Sequence, residues 1–196
     1  KELGQCRSDR RTREVGGAED LVPVLTHSGQ GWQSLPAMRS LYGISYAVRS
    51  YRPRVDTLFT RIERWTRVDD ASDVFWRSIS KDNITSWYGR SAESRIADPA
   101  DATRVFSWLI CERYDDKGNL IEYRYKPEDS AGVAATLAHE RNRSTATRAA
   151  GRYPRAIRYG HRTAYYPDLA AQQAVALPTD YSFEIVFDYG EYDSNA

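Results

Sequence analysis

Alternation of apolar and polar residues, a period of two, is the dominant pattern of this chain. It is clearest in Val105 to Lys126, VFSWLICERYDDKGNLIEYRYK, where two aromatic-rich runs flank Asp115-Asp116-Lys117-Gly118-Asn119. These central residues tolerate tight and left-handed turns, so the segment predicts a β-hairpin with a short loop. The first run sets Phe106, Trp108, Ile110 and Tyr114 on one face. The second sets Ile121, Tyr123 and Tyr125 there and turns Glu122, Arg124 and Lys126 away. Gly118 and Asn119 are therefore assigned to the turn, and Trp108 and Tyr123 to a cross-strand core pair.

The same periodicity predicts strands at 44–52, 58–67, 73–80, 84–89, 155–163 and 181–189. A shorter one at 19–25 carries Pro23, which confines it to an edge. Residues 26–43, with four Gly or Pro, read as a connecting loop bearing Trp32 and Met38. Ala134, Ala135, Leu137 and Ala138 favour one short helix within a long loop over 130–150. Residues 1–17 are polar and rich in Arg, and read as a poorly ordered leader. Residues 18–193 then form one β-rich module. Turn signals recur about every 8–12 residues, as in an all-β fold of antiparallel meander or sandwich-like sheets with at most one short helix.

Composition agrees with this reading. Aromatics make up 12% of the 196 residues, including 14 Tyr and five Trp, and suit half-buried pleated surfaces. A mean hydropathy of −0.68 implies a thin core under a wet surface. With 28 basic and 27 acidic residues the net charge is +1, so no global field favours nucleic acid. No apolar run approaches the ~18 residues of a membrane span, so no membrane insertion is expected of this segment. The chain opens on Lys1 without Met or an export signal, which reads as a piece of a longer protein. Cys6 and Cys111 lie far apart and show no disulfide framework; Cys111 reads as a buried thiol. Seven Arg and one acid occupy 139–163, whereas 180–193 holds five acids and no base. Antiparallel pairing of the last two strands sets Arg155 and Arg158 against Glu184 and Asp188.

Catalytic motifs are sparse. His27, His139 and His161 have no nucleophile in a recognisable setting, and there is no nucleophile elbow, phosphate loop, zinc pattern or dinucleotide fingerprint. No cofactor and no metal site is expected. Two binding or catalytic alternatives remain. A mono-ADP-ribosyltransferase needs a Ser-Thr strand and a paired carboxylate, echoed by Ser144, Thr145, Glu191 and Asp193. A carbohydrate-binding β module needs Trp32, Trp65, Trp76 or Trp87 to form an exposed platform.

A longer series of residues, in order, resembles a known family. Gly17 to Val24, Arg52-Pro53-Arg54, Arg61-Ile62-Glu63-Arg64-Trp65, Trp76 to Asn83, Tyr88-Gly89, Asp98-Pro99, Trp108-Leu109, Asp116 to Asn119, His139 to Arg143, Arg158-Tyr159-Gly160 and Phe187 to Gly190 are similar to the amino-terminal region of Salmonella virulence plasmid 65 kDa B proteins. The B components of insecticidal toxin complexes share that region. Tyr114-Asp115 to Leu120 also resembles a YD (Rhs) repeat hairpin. The resemblance implies a non-catalytic structural, shell-forming module of a secreted toxin, partnered by the rest of a large toxin chain and by toxin-complex subunits. In the Salmonella protein the ADP-ribosyltransferase lies in a carboxy-terminal part that this chain does not match.

Overall fold

Strands dominate the computed structural model, which describes residues 6–7, 20–55, 59–129, 133–134 and 136–190. In chain order they are β1 (Cys6–Arg7), β2 (Leu21–Pro23), β3 (Thr26–Ser28), β4 (Gly31–Gln33), β5 (Ala37–Leu41), β6 (Ile44–Pro53), β7 (Arg61–Arg67) and β8 (Val74–Ile79). Then follow β9 (Thr85–Tyr88), β10 (Arg95–Asp98), β11 (Asp101–Trp108), β12 (Ile110–Tyr114), β13 (Leu120–Pro127), the short helix α1 (Thr145–Ala149), β14 (Arg152–His161) and β15 (Tyr181–Val186). The fold is all-β and antiparallel.

A ten-stranded sheet runs in the order β15-β14-β13-β12-β9-β8-β7-β6-β2, with β5 also paired to β6. It is a meander with two excursions: β3 and β4 pair as a separate two-stranded sheet, and β10 and β11 leave to form a three-stranded sheet with β1. Both faces of the large sheet are packed. On one, Val74 and Trp76 of β8 meet Val105 and Trp108 of β11, with Tyr51, Ile62 and Tyr88 around them. On the other, Tyr46, Val48, Trp65, Phe75, Trp87 and Cys111 form a second core. Strand β8 serves both because successive side chains point to opposite faces. The connection after β14 straps the second core: Leu169 packs there, Tyr42 N–H donates to Leu169 C=O, and Tyr165 N–H donates to Gly118 C=O at 3.0 Å.

The central hairpin differs from expectation on its first strand. Leu109 leaves the ladder: its N–H donates to Ser94 C=O, its C=O accepts from Gly89 N–H, each at 2.8 Å, and the run becomes β11 and β12 in different sheets. Trp108 and Tyr123 are consequently not a pair. Trp108 packs on Trp76 and donates its indole N–H to Val74 C=O at 2.7 Å, while half-buried Tyr123 faces Ile157. Phe106 is 65% exposed because β11 is bulged against β10: Ile96 pairs with Ser107 and Ala97 with Val105, so Phe106 is the extra residue. The bulge shifts the inward parity, and Val105 and Trp108 both reach the core. Gly89 has φ +71° and an added Cβ would lie 2.2 Å from Trp108 Cδ1, so this crossing requires glycine.

The turn itself is tightly bonded. Asp115 Oδ1 accepts from the N–H groups of Lys117 and Asn119, Asn119 Nδ2 donates to Asp115 Oδ2, and Gly118 takes φ +84°. Leu120 N–H donates to His161 Nε2 at 2.7 Å, which leaves His161 Nδ1–H to donate to Thr163 C=O.

Two other expectations change. Residues 26–43 are a hairpin plus β5, whose almost wholly exposed side chains leave no apolar alternation to read. The β5–β6 turn uses Tyr42 and Gly43 at φ 52° and 77°. The short helix expected within 130–150 forms at Thr145–Ala149, where Ser144 and Thr147 cap it reciprocally, while Ala138–Glu140 makes only one 3-10 turn behind exposed Leu137.

Candidate functional site

One face of the large sheet carries a file of residues aligned across eight consecutive strands. From β6 to β15 the register pairs Ser50 with Glu63, Glu63 with Arg77, Arg77 with Trp87, Trp87 with Glu112, Glu112 with Glu122, Glu122 with Arg158 and Arg158 with Glu184. Each member lies on its strand at the parity of the second core; Glu63, Arg77, Trp87 and Glu122 are buried, whereas Ser50 and Glu184 at the two ends are exposed. A bulge at Cys111 keeps the file continuous, because it re-aims Glu112 beside Trp87.

Glu63, 1% exposed, is the most heavily bonded member. Its Oε1 accepts from Arg39 Nη1 at 3.1 Å and Arg61 Nε at 2.9 Å. Its Oε2 accepts from Arg77 Nε and Nη2 at 2.9 and 2.7 Å and from Trp65 Nε1 at 3.1 Å. Burial pushes the carboxyl up, yet Arg77, Arg39 and Arg61 together hold it below the usual range. For Arg77 burial prevails and lowers its pKa despite Glu63.

The arginines are also stacked on aromatics. Arg77 lies 5.0 Å from the Trp65 ring and 5.3 Å from Trp87; Arg90 lies 5.0 Å from Trp87 and 5.7 Å from Tyr42. This cation–aromatic ladder joins the two charged ends of the file. Arg90 Nη1 meets both Glu112 oxygens at 3.0 Å. Burial and neighbouring Glu122 nevertheless push Glu112 above the ordinary carboxylate range, against the pull of Arg90. Arg124 Nε holds Glu122 Oε1 at 2.8 Å, and Arg158 Nε holds Glu184 Oε1 at 2.5 Å. The expected Arg158–Glu184 pair is thus formed, whereas Arg155 bonds through its C=O to Phe187 N–H.

A cleft of 660 Å³ opens over the second half of the file, lined by Arg90, Cys111, Glu112, Glu122, Arg124 and Tyr125 among others. Burial, with Glu112 adding to it, pushes the Cys111 thiol up to about 11, which keeps it protonated and poorly nucleophilic. The groups in this cleft are engaged with one another, an arrangement suited to holding strands together. Among the described residues no group of three or more His, Cys, Asp or Glu is placed to hold a metal ion, and no helix is long and apolar enough to cross a membrane.

The sequence-assigned residues disperse. Trp108 lies in the first core, Tyr123 lines the rim of the cleft, and Gly118 and Asn119 hold the turn. Ser144 caps α1, accepting from Thr147 N–H at 3.2 Å, and Thr145 is exposed on that helix; neither is in a strand. Glu191 and Asp193 lie outside the described residues. The tryptophan platform is excluded for Trp65, Trp76 and Trp87, which are 2, 3 and 0% exposed. Trp32 is exposed, with His27 edge-on against it. Sequence reasoning missed Glu63, Arg77, Arg90 and Glu112. The signal available was parity: Glu63 shares its strand face with Trp65, and Arg77 with Phe75.

The family model for the Salmonella virulence plasmid 65kDa B protein (SpvB) matches residues 9–196. The chain belongs to the SpvB family. It is 31% identical over 147 residues to the mono(ADP-ribosyl)transferase SpvB of Salmonella typhimurium strain 14028s, a match covering 75% of this chain and 24% of that protein. SpvB of Salmonella choleraesuis matches to the same extent. The chain therefore spans about a quarter of the length of these curated relatives. Its fold is similar to the N-terminal domain of effector protein SpvB from Salmonella typhimurium strain LT2, with a TM-score of 0.73, 30% identity, and coverage of 90% of this chain and 54% of that one. It is also similar to a chain of the Photorhabdus luminescens Tc holotoxin pore, with a TM-score of 0.69, 28% identity, and coverage of 84% and 8%. The SpvB-family chain is thus a toxin-related β module.

Proposed function

We propose that residues 18–193 act as a non-catalytic structural module of a secreted, SpvB-family toxin protein, working through contacts with the rest of its polypeptide and with toxin-complex subunits. The observation that carries this reading is the file. Glu63, Glu112 and Glu184 are bonded to Arg77, Arg90 and Arg158 from neighbouring segments, where they fix strand register, and Glu122 is held by Arg124 of its own strand. Reactive carboxylates in an enzyme face a substrate; these face arginines. The small share of the relatives that is matched supports a part within a larger assembly. The likeness to the N-terminal domain of SpvB supports assigning the relatives' transferase name to sequence outside this region.

The test is an NAD⁺ hydrolysis and protein-labelling assay on the 196-residue chain, with full-length SpvB as positive control. No nicotinamide release above buffer is expected. Release that disappears in the E63Q variant or the E112Q variant would overturn the reading.

A further inference from the structure

β15 ends the strand order of the large sheet, and no strand lies on its outer side among the described residues. Phe187 N–H donates inward to Arg155 C=O, so odd-numbered positions of β15 bond to β14. Alternation then turns the backbone N–H and C=O groups of Ser182, Glu184 and Val186 outward. The side chains repeat the message. Phe183, Ile185 and Val186 are 57, 47 and 48% exposed, the first two on one face and the third on the other. Edge strands are commonly blunted by proline, bulges or lysine. β15 has no proline, bulge or lysine, its one charge, Glu184, is held by Arg158, and it pairs with β14 without a register shift.

Charge narrows what fits. The outward-bonding residue at the centre of the edge is Glu184, the last member of the file, whose Oε1 is taken by Arg158. A second copy paired antiparallel about this point would set Glu184 against Glu184, which like-charge repulsion disfavours. A base opposite Glu184 instead continues the file, and its two neighbours fall over Phe183 and Ile185. We propose that β15 is an acceptor edge for one antiparallel strand with an apolar–basic–apolar centre, supplied by another part of the same toxin polypeptide. This inference rests on the structural reading above. The matched N-terminal domain, of which this chain covers 54%, is long enough to hold such a strand.

The test fuses a short strand to the carboxy end of the full chain through a flexible Gly/Ser linker, giving the strand a millimolar effective concentration. Three centres are compared: Val-Arg-Val, Val-Glu-Val and Ser-Gly-Ser. The Val-Arg-Val fusion is expected to melt highest, by about 2–4 °C or more over Ser-Gly-Ser. It should also slow amide exchange at Glu184 and Val186 about ten-fold or more. A Ser182→Pro change removes an outward N–H that β14 does not use, and should abolish both effects. Glu184→Gln should erase the preference of Arg over Glu while leaving strand docking.

Equal melting of the three fusions, or a rise that survives Ser182→Pro, overturns the proposal. So does an unfused chain that dimerises with Glu184 and Val186 protected, which assigns the edge to a second copy. Transferase activity in the unfused chain would sink the structural reading and leave the edge result standing. Equal melting without such activity sinks only the edge.

Discussion

Glu63 illustrates how a buried charge is tolerated only as a set. Five donors from Arg39, Arg61, Trp65 and Arg77 converge on it, and Arg77 is itself buried. Removing Glu63 leaves buried Arg77 without its carboxylate, and removing Arg77 takes two of the five donors from buried Glu63, so Glu63→Gln or Arg77→Met alone is expected to cost about 3–5 kcal/mol. The Glu63→Met, Arg77→Met double variant should cost less than the sum, as a double-mutant cycle in urea will show. The two acids also give opposite pH dependences. Glu63 is depressed in the fold, so its contribution is present at neutral pH and is lost as pH falls through its folded value. Glu112 is raised above 4.5, so its contribution is full below that value and is lost as pH rises through its folded value. Glu112→Gln should therefore remove a decline in stability on the alkaline side of pH 4.5, and Glu63→Gln a decline on the acid side. Denaturant midpoints across pH 3–7 (an interval of about 4 units) check both.

At the scale of elements, the bulge in β11 decides which aromatic matters. Alternation alone places Phe106 and Trp108 on one face, yet the first is solvent-exposed and the second is 3% exposed. Phe106→Ser is expected to stay within about 0.5 kcal/mol of the parent. Trp108→Ala should cost about 3–5 kcal/mol, since it opens the first core and removes a bond to Val74. Thermal unfolding of the two variants checks the register directly. The hairpin turn was legible because Asp, Gly and Asn have local chemistry that needs no partner. The departure at Leu109 was not, because Ser94 and Gly89 capture its backbone from separate segments.

At the scale of the molecule, the two cores share one strand. Phe75 packs into one and Trp76 into the other, so neither can melt while β8 stays ordered. Tryptophan emission and far-ultraviolet circular dichroism should follow one coincident transition, and Phe75→Ala and Trp76→Ala should shift it as a whole. Non-coincident curves would mean that the faces unfold separately. Among the described residues both faces of the sheet are packed and no strand lies outside β15, which fits a module completed by a neighbour.

The residue pattern along the chain suffices for the all-β class, most strands of the large sheet, the Asp115 to Asn119 turn and the Arg158–Glu184 pair. Each of these follows from alternation, turn chemistry or charge within a strand, all local properties. Tertiary structure alone decided that Trp108 belongs to a second sheet, that Phe106 faces water, and that charges from β7 to β15 align into one file. Those outcomes depend on register and bulges between distant segments, where a shift of one residue moves a side chain to the opposite face.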